Sequence, residues 1–360
     1  MSARIASAKT LPYRLPLRRP WRFAERALNE RSGWLIRLVD ERGRIGWGES
    51  APLPAIGTEQ PAVTARWLST SVPRLVGTTP DTALTQLAPA AAAPPAARCG
   101  LETALLDLSA QQIGRPLRCL LRPDAASRVT VSGVLGAMPQ WRADPLRQVM
   151  NQGYRCLKLK VGVYSPKAEA RALGALFDIL PARIEIRLDA NRAWRRAQAE
   201  SFLSRAPIDA RLQWIEEPLA DGPAQIAALR EKWPIAVALD ESLNPGSLDQ
   251  VVESAAVDVL VLKPMRLGGL LPCLDLARRA AAAGIRCLVT TSLDGAVGRW
   301  AAAQLAAAVD AKGAAMAHGL ATGDWLARDF APGPEIRAGE MALPDTPGLG
   351  CAAENCDDRF

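Results

Sequence analysis

The alternation of apolar and polar positions divides the chain into two parts with different patterns. In the first 120 residues, the predicted strands come first and the predicted helices follow them, which is typical of an α+β unit. A turn at Glu41-Arg42-Gly43-Arg44 joins the second and third predicted strands. The pattern predicts strands at 10–17, 33–40 and 45–50 and helices near 61–76, 80–88 and 96–113.

From Arg128 onward short apolar runs alternate with amphipathic segments, the pattern of βαβ units and a parallel sheet. The predicted strands lie near 129–135, 156–161, 184–189, 212–215, 236–239, 257–262, 286–290 and 313–317. Eight such units, about 25 residues apart, predict a (β/α)8-type barrel with its active site at the C-terminal strand ends. We therefore expect an N-terminal α+β capping domain over 1–120, a barrel over 121–330 and a C-terminal segment, 331–360, that packs back toward the cap.

Charged residues stand at the ends of five consecutive barrel strands. Lys158 and Lys160 are two positions apart on one apolar run, so their side chains point to the same face. The next four runs end in Asp189, Glu216, Asp240 and Lys263, in that order. Because a buried ammonium group is costly without a negative partner, we expect the lysines and the carboxylates to converge at the barrel mouth.

This set of residue types predicts a specific chemistry. Three carboxylates from adjacent strands, Asp189, Glu216 and Asp240, form an oxygen-rich site suited to Mg²⁺, with Mn²⁺ as an alternative. In a ring of eight strands, Lys160 and Lys263 stand on opposite sides of that site. The arrangement suits removal of a proton next to a carboxylate, where a lysine of lowered pKa is the base and the metal stabilises the enediolate.

Each charged residue also has a simpler interpretation. An isolated acid after a strand is commonly a helix cap, and a lysine at a strand end commonly reaches to water. The order Lys, Asp, Glu, Asp, Lys at consecutive strand ends favours the active site. Glu217 and Glu241 point away by strand alternation and are interpreted as capping or supporting groups. A member of the same fold that binds without catalysis remains an alternative.

Composition excludes several classes of protein. The chain has 360 residues, 49% of them hydrophobic, which is enough for a large core. Its net charge of +7 is spread over the length without a dense basic run, so no nucleic-acid partner is expected. Seven cysteines without a CxxC pair argue against a disulfide framework or structural zinc. No window approaches the ~20 apolar residues of a membrane span, and we expect a cytoplasmic protein without a membrane partner.

These motifs together resemble the signature of the enolase superfamily, in the muconate lactonizing enzyme subgroup. The resemblance spans nearly the whole chain, since Leu101–Asp107 is similar to the helix that leads into the family's barrel. It implies that Lys160 and Lys263 are the acid/base pair and that the three carboxylates bind the metal. It is carried by Lys158-Leu159-Lys160, Asp189-Ala190-Asn191, Glu216-Glu217-Pro218, Asp240-Glu241-Ser242 and Lys263-Pro264.

Within the subgroup, local features resemble the o-succinylbenzoate synthase family most. They include Gly48–Pro54 and Thr291–Gly298, whereas dipeptide epimerases typically carry an Asp-x-Asp motif where this chain has Ala317-His318-Gly319. His318 is the only histidine, and we predict a structural role for it. N-succinylamino acid racemase, dipeptide epimerase and muconate lactonizing enzyme remain alternatives.

The resemblance implies a syn dehydration of a small-molecule carboxylate substrate, 2-succinyl-6-hydroxy-2,4-cyclohexadiene-1-carboxylate, on a route to menaquinone or phylloquinone. Cap loops near 22–31 and 53–59 are expected to close over the site. The oligomeric state stays open. The residues expected to contact substrate or support the site are Lys158, Arg187, Asn191, Thr291, Ser292 and Gly295.

Overall fold

The computed structural model contains an N-terminal α+β unit, a parallel barrel and a small C-terminal sheet. It describes residues 2–23, 26–87, 93–138, 143–243, 248–253, 257–310 and 316–351. Within these residues, no helix is long and apolar enough to cross a membrane.

The N-terminal unit is a three-stranded antiparallel sheet covered by helices. Strands β1 (Ile5–Phe23), β2 (Arg26–Asp40) and β3 (Ile45–Ser50) pair in chain order. Both β1 and β2 are longer than expected, so the described part of 22–31 belongs to a two-stranded ribbon rather than a loop. The helices are α1 (Pro61–Ser71), α2 (Pro80–Leu87), α3 (Pro95–Gln112) and α4 (Leu117–Leu121).

Helix α3 is buried along most of its length because it lies between the cap sheet and the barrel. Two glycines allow its close approach to β3, since a Cβ atom on Gly48 would collide with the Gly100 carbonyl. Leu105 and Leu108 are fully buried in the core that α3 shares with the cap sheet. Burying each such leucine stabilises the fold by about 1.5–3 kcal/mol, so this helix is a structural centre of the cap.

The barrel confirms the predicted alternation. Its sheet has the parallel order β11-β10-β9-β8-β7-β6-β5, so strands consecutive in sequence are neighbours in space. The strands are β5 (Gly133–Ala137), β6 (Cys156–Lys160), β7 (Glu185–Asp189), β8 (Leu212–Glu216), β9 (Val237–Leu239), β10 (Val259–Leu262) and β11 (Arg286–Val289). The helices between and after them are α5 (Ala143–Asn151), α6 (Pro166–Ile179), α7 (Arg196–Leu203), α8 (Pro223–Lys232), α9 (Leu248–Glu253), α10 (Pro264–Leu267), α11 (Leu270–Ala282) and α12 (Ala296–Val309).

Near the closure of the ring, the described residues differ in part from the prediction. Of the expected eighth strand, 313–315 lie outside the described residues, and Met316 and Ala317 are not in a strand. Closure instead occurs through isolated parallel bridges, His318 to Val131 and Gly319 to Thr290. The expected first barrel strand, 129–135, is also divided into two strands.

The C-terminal segment explains why the expected first barrel strand is divided. Strand β4 (Arg128–Thr130) pairs antiparallel with β13 (Glu340–Ala342), which pairs with β12 (Ile336–Arg337). Because β4 is used in this small sheet, the barrel strand proper begins only at Gly133. Farther along, the Leu349 amide donates to Asp107 of α3 over 2.7 Å, a contact between the C-terminal segment and the cap. The exact domain boundaries stay a prediction.

Candidate active site

The charged residues singled out from the sequence lie together at the C-terminal ends of the barrel strands. Lys158 and Lys160 are on β6, and Asp189 and Glu216 are the last residues of β7 and β8. In the sheet register Lys160 pairs with Asp189, and Asp189 pairs with Glu216. The remaining two, Asp240 and Lys263, follow β9 and β10 directly. Five neighbouring strands therefore supply one site.

Lys158 lies between two of the carboxylates. Its ammonium nitrogen is 2.7 Å from Asp189 Oδ2 and 2.8 Å from each carboxylate oxygen of Glu216. Burial lowers the pKa of Lys158, but the charges of Asp189 and Glu216 outweigh burial and raise it above the usual value. Lys158 is therefore a fixed cation at this site.

Lys263 is paired in the same way on the opposite side. Its ammonium group forms an ion pair with Asp240 Oδ2. Burial lowers the pKa of Lys263, whereas Asp240 and Glu241 raise it more strongly, so the net shift is upward. This upward shift of the Lys263 pKa arises because the nearest charges are carboxylates, and the lowered pKa expected of the basic lysine stays a prediction.

Lys160 differs from both of them. Its side chain is exposed at the end of β6. Among the described residues, no carboxylate lies within ion-pair distance of its ammonium group. Of the three lysines at the mouth, Lys160 is thus the one whose charge is not held by an acid.

Hydrogen bonds to Glu217 and from Arg266 hold the backbone around Asp240. Glu217 accepts hydrogen bonds from the amides of Asp240 (2.8 Å) and Ser242 (2.7 Å), which fits its interpretation as a capping group. Arg266 donates to the carbonyls of Asp240 and Glu241, 2.6 Å each. Sequence reasoning missed Arg266; its position three residues after Lys263, in the first turn of the following helix, was the available signal.

Strained backbone marks the loops of this site. Of five described non-glycine residues with left-handed φ, four follow barrel strands: Asn191, Arg192, Glu217 and Leu293. The Arg192 amide donates to the Glu217 carbonyl over 2.8 Å, which fixes two adjacent loops to each other. Such conformations persist where surrounding contacts enforce them, often at functional sites.

Asn191 lies beside Asp240, whereas Arg187 lies beneath the carboxylates. The Asn191 amide group donates to Glu241 Oε1 over 3.0 Å, beside Asp240. Arg187 is buried two residues below Asp189 on β7, stacked 4.0 Å from the centre of the Trp214 ring. It also donates to Gln213 (2.6 Å) and to the Ala317 carbonyl. Arg187 therefore packs beneath the carboxylates, and a direct contact with substrate stays a prediction.

Two of the three predicted substrate contacts after β11 already form hydrogen bonds within the protein. Thr291 Oγ1 is 2.8 Å from Thr322 Oγ1, and the Gly295 amide donates to Glu49 of the cap over 2.7 Å. The Ser292 hydroxyl is buried and has no hydrogen-bond partner among the described residues. Of these three predicted substrate contacts, Ser292 has the side-chain polar atom without a partner among the described residues.

His318 has contacts that suit a structural role. Its Nδ1 accepts the Val289 amide over 3.0 Å, and its Nε2 is 3.1 Å from Asp310 Oδ1. An accepting Nδ1 requires the hydrogen on Nε2, so the ring donates to Asp310. These bonds attach the closing segment of the barrel to β11.

The donor set fits a hard divalent cation. Asp189, Glu216 and Asp240 offer only carboxylate oxygens, and Asp240 Oδ1 and Glu241 Oε2 are buried without a partner among the described residues. As positioned, the described part of the chain has no group of three acids, histidines or cysteines that could hold a metal. The ammonium groups of Lys158 and Lys263 lie against these same carboxylates, whereas Asp240 Oδ1 has no partner among the described residues.

Comparisons with known proteins agree with this architecture. Residues 141–355 match the family described as "Enolase C-terminal domain-like", and residues 5–107 match "MenC, N-terminal domain". The chain is 32% identical to o-succinylbenzoate synthase of Thermosynechococcus vestitus over 300 residues, 80% of this chain and 85% of that protein.

Relatives with other activities are similar at comparable levels. N-succinyl-L-Arg/Lys racemase of Bacillus cereus is 26% identical over 291 residues, 79% of each chain. A solved structure, dipeptide epimerase of Methylococcus capsulatus complexed with Mg and the dipeptide L-Arg-D-Lys, has a TM-score of 0.84 and 26% identity. The match covers 97% of this chain and 99% of that one.

Proposed function

The chain belongs to the enolase superfamily, in its muconate lactonizing enzyme subgroup, and from that premise we propose that it is an o-succinylbenzoate synthase. The reaction is the dehydration of 2-succinyl-6-hydroxy-2,4-cyclohexadiene-1-carboxylate to 2-succinylbenzoate, a step in quinone biosynthesis. The relative from Thermosynechococcus vestitus and the match of 5–107 to a MenC N-terminal domain support this choice.

The observation that carries the mechanism is the difference between the lysines. Lys160 is exposed and has no carboxylate partner among the described residues, whereas Lys263 is paired with Asp240. A base must lose its proton reversibly, which a lysine held by acids does less readily. We therefore assign proton transfer to Lys160 and electrostatic stabilisation to Lys263.

The proposed chemistry uses one lysine twice. The neutral amine of Lys160 takes the proton from the carbon that bears the carboxylate. The resulting ammonium then gives a proton to the departing hydroxyl on the same face, so the C–H and C–O bonds break, water leaves and the ring becomes aromatic. Lys160 ends in its starting protonation state. Lys263, kept cationic, stabilises the negative charge that develops in between.

Asp189, Glu216 and Asp240 are the residues that would hold Mg²⁺. When bound, the ion supplies positive charge next to the substrate carboxylate and so favours loss of the adjacent proton. Lys158 contributes a further positive charge and is proposed to bind the substrate carboxylate, and Asn191 and Ser292 are proposed as further polar groups of the site.

Substitution of the two lysines tests this assignment. Lys160→Ala should abolish dehydration, because Lys160 is the group proposed to take the proton. Lys263→Arg keeps a cation but is a very poor base, and we expect it to retain measurable dehydration, while Lys263→Ala loses several kcal/mol of transition-state stabilisation. Product formation with Mg²⁺ present is the measurement. An active Lys160→Arg beside an inactive Lys263→Arg would reverse the two roles.

N-succinylamino acid racemisation is a second candidate, favoured by the similarity to the Bacillus cereus racemase. Racemisation needs a proton donor and acceptor on each face of the α-carbon, so Lys263→Arg should abolish it while sparing dehydration. Incorporation of deuterium from D₂O into an N-succinylamino acid measures this activity. A wild-type protein that exchanges this proton but does not dehydrate the cyclohexadiene would favour the racemase.

A further inference from the structure

The residues that follow Lys263 are packed against the cap domain. Lys263 is the N-cap of the four-residue helix α10. That helix ends at Gly268, whose φ of 87° is left-handed, and Gly269 then caps α11. Residues 264–271 are here called the Lys263 segment. Because Lys263 joins β10 to this segment, its position depends on both.

Apolar packing joins the Lys263 segment to the cap. Met265 is buried in a cluster whose other members, Ala51, Ala96 and Cys99, all belong to the cap. Ala51 follows strand β3, while the other two lie in the first turns of α3. The side chain two residues after Lys263 is therefore enclosed by the other domain.

Polar contacts hold the end of the segment. Arg98 of α3 donates to the Gly268 carbonyl and is 3.0 Å from Glu102 Oε2. Glu102 is buried and accepts the Leu271 amide over 2.8 Å at the start of α11. A Cβ atom at Gly269 would collide with the Glu102 carboxylate, so glycine permits the close approach. These groups leave the segment little room to move.

We propose, on the premise of the function assigned above, that Arg98 and Glu102 are positioning residues for Lys263. They act through helix α10: with its C-terminal end fixed by α3 and its N-terminal end continuous with Lys263, a shift of the helix moves the lysine. The cap thus orients one of the two lysines assigned to the reaction in addition to covering the site.

The test measures Lys263 itself rather than turnover. Full-length protein is labelled with an amine-acylating reagent at fixed pH without substrate, and mass spectrometry compares labelling of Lys263 with that of Lys160. In Glu102→Gln, loss of the charged contact should loosen the segment and raise the Lys263 to Lys160 ratio severalfold. An unchanged ratio in the folded variant overturns the proposal.

A matched control comes from the second buried glutamate of the cap. Glu49 also accepts amides at the N-terminus of a barrel helix, those of Gly295 and Gly298 at α12, but not those of the Lys263 segment. Glu49→Gln should leave the labelling ratio unchanged. An equal rise in both variants would mean general loosening and would contradict a specific role. Arg98→Met, at a less buried position, repeats the test if Glu102→Gln does not fold.

Kinetics separate this proposal from the proposed function. With Lys263 misplaced and substrate binding intact, kcat for dehydration should fall by about 10- to 100-fold while KM changes little. The labelling ratio can rise in the variant while the wild-type protein lacks dehydratase activity. That result would refute the proposed function and support the positioning role. An unchanged ratio refutes the positioning role whatever the activity.

Discussion

Three lysines of the same chemical type lie at one barrel mouth, and their neighbours make them different. Lys158 is bound by Asp189 and Glu216, and Lys263 by Asp240, so both carry a charge that the fold stabilises. Lys160 is exposed and unpaired among the described residues. Burial lowers the pKa of Lys158 and of Lys263, and the carboxylates around them raise it more strongly.

Asp240 is the proposed metal ligand whose removal is easiest to interpret, since its Oδ1 has no partner among the described residues. Asp240→Asn removes one of three negative charges, and we expect Mg²⁺ affinity to fall by at least about tenfold, equivalent to 1.4 kcal/mol, with turnover lost. Isothermal titration with Mg²⁺ measures the affinity. Asp249→Asn, at an exposed surface ion pair, is the control and should bind Mg²⁺ normally. Unchanged affinity in Asp240→Asn would remove Asp240 from the metal site.

At the scale of elements, short parallel bridges at His318 and Gly319 close the part of the barrel that the structure describes. His318 compensates for the few backbone bonds of these bridges by bonding the Val289 amide of β11 and Asp310 after α12. A buried side chain that joins two elements is expected to affect stability more than catalysis.

His318→Leu should therefore destabilise the fold without removing a catalytic group. It leaves the buried Val289 amide unpaired, a cost of about 1–3 kcal/mol. His318→Asn, which can keep an acceptor near that amide, should cost less. Urea denaturation gives both free energies of unfolding, and the activity of the folded fraction should persist. A folded but fully inactive His318→Asn would contradict the structural role.

At the scale of the whole molecule, the cap and the barrel share buried charges. Glu49 accepts the Gly295 and Gly298 amides at 2.7 Å each, and Arg31 of β2 donates to the Pro52 carbonyl over 2.7 Å and to the Ser292 carbonyl over 3.4 Å. Arg31 is fully engaged inside the protein, although it lies in a segment expected to be a substrate loop. Here that segment joins the cap to the loop after β11.

Glu49 should make stability depend on pH. Burial, followed by the charge of Asp294, raises the pKa of Glu49 from 4.5 to about 7 in the folded protein. Between these values the folded state keeps a proton that the unfolded chain has lost, so the free energy of unfolding falls as pH rises toward 7. Since one pKa unit corresponds to about 1.4 kcal/mol, Glu49 can lower the free energy of unfolding by at most about 3 kcal/mol.

Glu49→Gln tests this dependence. The glutamine does not titrate, so the stability of the wild type relative to the variant should decrease between about pH 5 and about pH 8. Urea unfolding at several pH values measures it. Glu335→Gln, at an exposed ion pair, should keep the wild-type pH dependence. An identical slope for the wild type and Glu49→Gln would show that Glu49 does not titrate as described.

The sequence by itself determined the fold class and the order of the charged residues around the barrel mouth. It did so because strand periodicity and chain order are local properties: Lys160, Asp189, Glu216, Asp240 and Lys263 each end an apolar run, and βαβ connections make consecutive strands neighbours. The parallel order β5 to β11 follows from the same rule.

Only the tertiary structure decided how those residues are paired and supported. Nothing in the local pattern distinguishes Lys158 from Lys160, yet one is held by two carboxylates and the other is exposed. The use of Arg128–Thr130 by a C-terminal strand, and the contact of Glu102 with the start of α11, join segments more than 150 residues apart in sequence. Such pairings depend on packing between distant parts of the chain, which periodicity does not encode.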